Sequence, residues 1–192
     1  MTIILAIDLE TSGLPPKGIE PGHEQYPWPV QVGAILFDMD GRDRAIFGTR
    51  IRSDGRSISK GAADVHGMST RDAGRSGVPE IAALAIVCHF AAEASYITGY
   101  NAEFDRDILQ SSLLRLGKDG RKLMRPGLQL VDLMKPSACL CKLPSERDDG
   151  QYKWPKLDEA MTIIRNERPR KRAHDALDDA KAAKRLFLDR KS

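Results

Sequence analysis

The 192-residue chain is poor in cysteine and aromatic residues, and it has no long apolar run. Its three cysteines, Cys88, Cys139 and Cys141, are an odd number without a second pair, which argues against a disulfide framework and favours a reduced, cytoplasmic setting. Cys139 and Cys141 could bind a metal, but structural zinc usually takes four Cys or His ligands. The first apolar run is six residues long and ends at Asp8, which fits a buried strand better than a signal core or membrane span.

The chain also lacks a strong charge of one sign, since its formal net charge is only +3. That charge is unevenly distributed: residues 1–100 have a net charge of −3, and residues 101–192 a net charge of +6. A basic segment, residues 165–172, has a net charge of +4 and leads directly to His174. Basic segments are usually solvated loops, but this position beside catalytic candidates favours contact with a phosphate backbone.

The pattern of apolar residues predicts an α/β fold in one domain, residues 1–192. Apolar residues make up 41% and charged residues 30%, as is typical of a globular protein. Prolines predict a loop over residues 13–29, and Pro79 is a suitable first-turn residue for a helix. Periodicity predicts strands at 2–9, 30–37, 45–51, 94–100 and 128–133, and helices from about 79 and at 102–116, 157–165 and 175–190. Strands first, then strands alternating with helices, indicate a mixed sheet covered by helices.

Asp8 and Glu10 lie two residues apart at the end of the first predicted strand. Side chains alternate along a strand, so both should project from the same face. Most Asp-x-Glu pairs are simply exposed strand ends. A strand can nevertheless present two oxygens to one cation in this way.

Helical spacing separates the acidic residues of the predicted helix 102–116. Asp105 shares a face with Ile108 and Leu109, which must be buried, whereas Glu103 and Asp107 lie on a solvated face. A carboxylate on an apolar face is costly unless it is paired or bound to metal. Asp105 is therefore the functional candidate in this helix.

The same spacing turns Asp179 inward and Asp178 outward in the last helix. His174 is five residues before Asp179, so both reach one site only if His174 stands at or before the helix start. An imidazole titrates near neutrality and is a suitable general base. Four inward carboxylates and one histidine are what a two-metal phosphodiester hydrolase needs, because two divalent cations about 4 Å apart require oxygen ligands.

These residues resemble the three motifs of the DEDDh branch of the DnaQ-like 3′ to 5′ exonucleases, which includes polymerase proofreading subunits, RNase T and oligoribonuclease. Residues 8–11 resemble the first motif, residues 101–105 the second, and residues 174–179 the His-x4-Asp third motif. Residues 65–69 also resemble a His-Gly segment of that family. Two features depart from the family pattern: the Pro-rich insertion after Gly13, and Gln31 where many relatives have Glu.

The resemblance implies a ribonuclease H-like fold, with a mixed five-stranded sheet whose first three strands are antiparallel, and two Mg²⁺ or Mn²⁺ ions. Asp8 would bridge both ions, Glu10 and Asp179 would complete the site of the nucleophilic water, and Asp105 would hold the second ion. His174 would be the general base.

The resemblance also implies a substrate and its pocket. The substrate would be the 3′ end of single-stranded DNA or RNA, hydrolysed to nucleoside 5′-monophosphates. Residues expected to bind it are Leu9, Thr11, His66, Met68, Asn101 and Phe104, although Phe104 is equally well explained as a core aromatic. A membrane is not expected as a partner, while a homodimer or association with a polymerase is compatible with the family.

Two other functions are considered. Residues 36–41 resemble the nucleophile motif of haloacid-dehalogenase-type phosphatases, with Asp38 as nucleophile, but Arg42 stands where that family has Thr or Val. A noncatalytic nucleic-acid-binding or docking module with an exonuclease fold is the other alternative. Such a module has no need for clustered carboxylates that repel one another.

Overall fold

A computed structural model describes residues 1–120, 123, 125–146, 150–170 and 173–189. The strands are β1 (Ile3–Thr11), β2 (Pro29–Asp38), β3 (Asp43–Arg50), β4 (Tyr96–Gly99) and β5 (Gln129–Asp132). The helices are α1 (Lys60–His66), α2 (Thr70–Arg75), α3 (Glu80–Glu93), α4 (Ala102–Arg115), α5 (Met134–Cys141), α6 (Leu157–Arg165) and α7 (Ala176–Asp189). Within the described ranges, no helix combines the length and the apolar character that a membrane span requires.

The five strands form one open, mixed sheet in the order β3-β2-β1-β4-β5. β1 pairs antiparallel with β2, which pairs antiparallel with β3. β1 pairs parallel with β4, and β4 parallel with β5. This arrangement confirms the predicted ribonuclease H-like sheet with three antiparallel strands first. It also places the carboxyl ends of β1, β4 and β5 at one edge of the sheet, where α/β proteins commonly bind ligands.

The alternation of side chains along β1 serves two helical layers. Leu5, Ile7 and Leu9 belong to the larger apolar cluster, which also includes residues of α3 and α4. Ile4 and Ala6 instead pack with Ala180 of α7 on the opposite face of the sheet. Asp8 and Glu10 continue the series that faces α7, since side chains two residues apart share a face.

Gly33 of β2 allows α7 to lie directly on the sheet. A Cβ atom at position 33 would stand 2.2 Å from the carbonyl oxygen of Ala176, a backbone atom that has little freedom to move. The start of α7 is therefore fixed against β2 at van der Waals distance, which sets the position of the residues that precede and follow it.

The structure adds helices that the sequence patterns did not predict, namely α1, α2 and α5. α1 and α2 have seven and six residues, too few for a clear apolar period, and are capped by Ser59 and Ser69. α5 contains Pro136, which reads as a helix breaker but is tolerated because it lies in the first turn. The predicted end of the last helix, Arg190, lies outside the described residues.

Candidate active site

Four carboxylates from three elements converge at the carboxyl end of β1. Asp8 and Glu10 come from β1, Asp105 from the first turn of α4 and Asp179 from the first turn of α7. Glu10, Asp105 and Asp179 expose less than a tenth of their surface, and Asp8 is partly exposed. The negative charges of Glu10, Asp105 and Asp179 each act on Asp8, so the four groups form one electrostatic cluster.

Asp105 is held against β1 by the backbone. Its Oδ1 accepts a hydrogen bond from the amide of Leu9 at 3.1 Å, which links α4 to the strand between the two acidic residues Asp8 and Glu10. Glu103 is exposed and Asp107 is partly exposed, as the helical spacing predicts. The first two turns of α4 therefore direct one of their three acids, Asp105, into the site.

Glu10, His174 and Asp179 form a group suited to a metal ion. Each offers a ligand atom, and these atoms all lie within 4.8 Å of one another. The two carboxylates are oxygen donors of the kind that suits Mg²⁺ or Mn²⁺, and the imidazole stands beside the same position.

His174 stands just before α7 in a left-handed backbone conformation, with φ of 63°. Such a conformation costs a non-glycine residue about 1 kcal/mol, so neighbouring contacts must hold it. Gln31 of β2 provides them: its amide nitrogen donates to Asp175 Oδ2 at 3.2 Å, and its carbonyl oxygen accepts from the Ala176 amide at 3.3 Å. Gln31 thus positions the helix start and the histidine before it, a role that its sequence position alone did not reveal.

His66 lies in the same neighbourhood, but both of its ring nitrogens are engaged. Nδ1 accepts from the Met68 amide at 3.1 Å, which leaves Nε2 to donate to the Thr11 carbonyl at 3.2 Å. Burial lowers the pKa of His66, and His174 lowers it further. His66 is therefore a fixed imidazole whose neutral form is favoured, whereas His174 is exposed.

The cluster strongly disfavours full ionisation in the absence of a cation. Burial raises the pKa of Glu10 to about 8, and Asp179 and Asp175 contribute to the shift. Burial and the neighbouring carboxylates also raise the pKa of Asp8 well above its ordinary value. For Asp105, burial raises the pKa and the Leu9 amide opposes the rise. Without a cation, these carboxyl groups therefore tend to keep their protons, which avoids repulsion between neighbouring carboxylates.

These shifts predict that the cation-free protein loses stability as the pH rises from about 4.5 to about 8. In this window folded Glu10 keeps a proton that the unfolded chain has released, so folding is favoured at the lower pH and this advantage disappears through the folded pKa. Thermal unfolding in EDTA at several pH values measures the slope. Glu10→Gln should flatten it, and equal slopes for the variant and the wild type would contradict the shift. His66, whose pKa is lowered, acts in the opposite direction and is common to both proteins.

Asp132, at the end of β5, is a site residue that the sequence patterns missed. Its Oδ1 accepts from the amides of Asn101, Ala102 and Met134, at 2.8, 3.2 and 3.2 Å. Asp132 thus joins the turns that follow β4 and β5, and its charge contributes to the raised pKa of Asp105. An acid at the carboxyl end of a parallel strand was the available signal.

Arg170 is directed into the acidic cluster. Its guanidinium donates to Asp179 Oδ1 at 2.5 Å and to Asp158 Oδ1 at 2.6 Å. Arg165 also forms internal ion pairs, with Glu167 and Asp189. These two members of the basic segment 165–172 are thus paired within the protein, while residues 171 and 172 lie outside the described part of the chain.

The residues predicted to bind substrate surround the cluster with different exposures. Leu9 and Met68 belong to the larger apolar cluster and expose 7% and 5% of their surface, and Phe104 packs against that cluster while partly buried. The Thr11 hydroxyl donates to the Gly13 carbonyl at 2.8 Å. Asn101 is exposed and has a left-handed conformation, with φ of 68°. Their contacts with a nucleotide remain predictions.

Asp38 lies at the opposite end of the sheet, where it is paired in register with Ile3. Its side chain accepts hydrogen bonds from the amides of Asp40 and Arg42, both at 3.0 Å, and from the Arg44 guanidinium at 2.9 Å. These bonds lower the pKa of Asp38 against the effect of burial. They give Asp38 a structural role in the turn, and they weigh against its use as a phosphatase nucleophile.

Residues 5–187 match the model of the RNase T family, described as Exonuclease. None of the curated proteins is significantly similar to the chain in sequence. The fold is similar to that of E. coli exonuclease I in complex with a dT13 oligonucleotide, with a TM-score of 0.78 and 22% identity over 100% of this chain and 41% of that chain.

The zinc-bound complex of E. coli exonuclease I with single-stranded DNA gives a TM-score of 0.76 and 21% identity over 98% of this chain and 40% of that one. A product-bound structure of exonuclease I gives a TM-score of 0.75 and 21% identity over 100% of this chain and 44% of that chain. The chain therefore spans about two fifths of the length of these proteins.

Proposed function

Because the chain belongs to the RNase T exonuclease family, we propose that it removes nucleoside 5′-monophosphates one at a time from the 3′ end of single-stranded nucleic acid. Residues 1–192 act as one exonuclease domain in this proposal. The observation that carries it is the convergence of Asp8, Glu10, Asp105 and Asp179 beside His174. The phosphatase alternative lacks such support, since Asp38 is engaged in a turn.

Two divalent cations, Mg²⁺ or Mn²⁺, are the ions of the proposal, and the carboxylate oxygens of the site are donors that suit such ions. Asp8 and Asp105 would hold one, and Asp8, Glu10 and Asp179 the other. When bound, the cations neutralise the attacked phosphate, lower the pKa of the attacking water and stabilise the leaving 3′ oxygen. The raised pKa values of the carboxyl groups support this fit, because protons held by Asp8 and Glu10 are released when cationic charge enters the cluster.

The chain's own residues orient the reaction. His174 accepts a proton from the attacking water, and its exposure permits transfer of that proton to solvent. Gln31 fixes the position of His174 through the start of α7. Asp132 keeps Asn101 and the first turn of α4 in place beside the site.

Single-stranded DNA is the substrate that the structural neighbours favour, since E. coli exonuclease I was solved with single-stranded DNA and with oligonucleotides. The decisive experiment incubates the protein with 5′-labelled single-stranded DNA and RNA of equal sequence, with Mg²⁺, Mn²⁺ or EDTA. We expect a ladder of products shortened one nucleotide at a time, and none in EDTA. Tight binding without cleavage under all conditions would instead identify a noncatalytic binding module.

Arg170→Ala tests the cation site through folding rather than activity. Removing Arg170 leaves the buried carboxylate of Asp179 without its partner, so the free energy of unfolding in EDTA should fall by about 3 kcal/mol. A cation bound to Asp179 satisfies the same charge, so the loss should be smaller in saturating Mg²⁺. Urea unfolding with and without Mg²⁺ measures both values.

Arg165→Ala is the matched control for this prediction. Arg165 is also paired, with Glu167 and Asp189, but away from the acidic cluster. The fall in the free energy of unfolding caused by Arg165→Ala should therefore be the same with and without Mg²⁺. An equal loss in both buffers for Arg170→Ala would count against a cation at Asp179.

A further inference from the structure

Two aromatic residues outside the acidic site stand out by their exposure. Tyr152 exposes 45% of its surface and Trp154 55%, and the other aromatic residues of the chain, all within the described ranges, are buried or half-buried. Aromatic side chains contribute much to folding when buried, so two of them left in water require another explanation.

The segment 152–156 that carries these rings is held by hydrogen bonds to the body of the protein. The Lys153 amide donates to the Leu143 carbonyl at 3.0 Å. The Tyr100 hydroxyl donates to the Pro155 carbonyl at 2.7 Å. The two rings are therefore presented on a fixed support, which reduces the entropy lost when a ligand binds.

Tyr152 forms an isolated antiparallel bridge with Pro144, and Trp154 follows two residues later. Both line an open cleft of about 860 Å³. Its other walls include Leu143, Pro144, Lys153 and Glu159. The cleft is mixed in character: it offers apolar faces together with charged groups.

A chain of contacts connects this cleft to the first turn of α4, which carries Asp105. The ammonium group of Lys135 lies 5.9 Å from the centre of the Trp154 ring and 3.4 Å from Glu103 Oε2. Glu103 is in the first turn of α4, between Asn101 and Asp105. The turn that carries Asp105 is thus linked, through Glu103 and Lys135, to the ring of Trp154.

We propose that Tyr152 and Trp154 form a stacking platform for bases of single-stranded nucleic acid upstream of the nucleotide held in the acidic site. Exposed rings that accept any base, interleaved with lysines, are the features of single-strand binding surfaces. Lys135, Lys153 and Lys156 would supply positive charge for the phosphates. Lys135 is paired with Glu103 at 3.4 Å and Lys153 with Glu159 at 2.9 Å. Both are exposed ion pairs, which contribute little to stability and which a phosphate group can replace. The proposal rests on the proposed exonuclease function and extends it to the length of strand that is bound.

The test compares Trp154→Ala and Tyr152→Ala with the wild type on a dinucleotide and on oligothymidylate of about 12 nucleotides, within the span of known single-strand grooves. In the wild type, the longer substrate should have the lower KM, because only it reaches the platform. In each variant, the ratio of the dinucleotide KM to the oligothymidylate KM should be about tenfold smaller than in the wild type, which is the effect of losing one stacked base. Trp154→Phe, which keeps a π-face, should retain most of it.

Ile163→Ala is the matched control, since Ile163 is also exposed, at 45%, but does not line the cleft. Equal length dependence in the wild type and both alanine variants would overturn the platform. Cleavage of no substrate by the wild type would refute the exonuclease function alone. The platform is then tested by Trp154 fluorescence, which the longer oligonucleotide should quench and the dinucleotide should not; absence of quenching would overturn it. Trp28, the second tryptophan, is buried.

Discussion

Asp8→Asn is expected to abolish measurable exonuclease activity while leaving a folded protein. Asp8 is the member of the cluster on which the charges of Glu10, Asp105 and Asp179 all act. The proposed function assigns it to both cations. Cations at such a site contribute several kcal/mol to the transition state, and loss of about 4 kcal/mol corresponds to about a thousandfold lower kcat. Release of labelled nucleotide from single-stranded DNA in Mg²⁺ measures the loss.

The same substitution should stabilise the cation-free protein. Burial and neighbouring carboxylates raise the pKa of Asp8, so folding near neutral pH requires Asp8 either to take up a proton or to bury a charge, and a neutral amide requires neither. Asp64→Asn is the control, because Asp64 is an exposed acid in α1 that pairs with the exposed Lys60. Wild-type turnover in folded Asp8→Asn would refute the proposed site.

His174→Ala should lower kcat by a factor of about 10² to 10⁴, the usual contribution of a general base. Cation binding should be largely kept, since the four carboxylates remain. Isothermal titration with Mn²⁺ and single-turnover cleavage separate the two effects.

His89→Ala serves as the control for the histidine prediction. His89 is exposed on α3 and lies beside Glu93, so it shares residue type and exposure with His174 but not location. If His174→Ala cleaved as fast as His89→Ala, His174 would have no part in proton transfer. His66→Ala would then be informative, although both ring nitrogens of His66 are engaged.

Local patterns in the sequence were sufficient for the sheet and for the orientation of the acidic side chains. Alternation along β1 placed Asp8 and Glu10 on one face, and helical spacing turned Asp105 and Asp179 inward. Both inferences need only the geometry of a single element. The same geometry predicted that His174 precedes α7, which begins at Ala176.

Residues that act between elements were not predictable in this way. Gln31 joins β2 to the start of α7, and Arg170 joins two acids of α6 and α7. Asp132 joins the turns after β4 and β5. Each depends on which side chains meet in space, and neither period nor composition contains that information. Arg170 also shows that a basic segment need not be free for a polyanion.

The side chains of β1 alternate between two packed layers, and this alternation limits which changes in the length of the strand the protein can accept. Deletion of one residue between Ile4 and Ile7 would exchange the two faces of the strand beyond it. Asp8 would then face the larger apolar cluster, and an isoleucine or leucine would face α7. This single deletion would therefore disrupt both the packing of the core and the acidic site. Changes in the length of β1 should therefore be tolerated far less than substitutions. This holds even for the insertion of a single alanine.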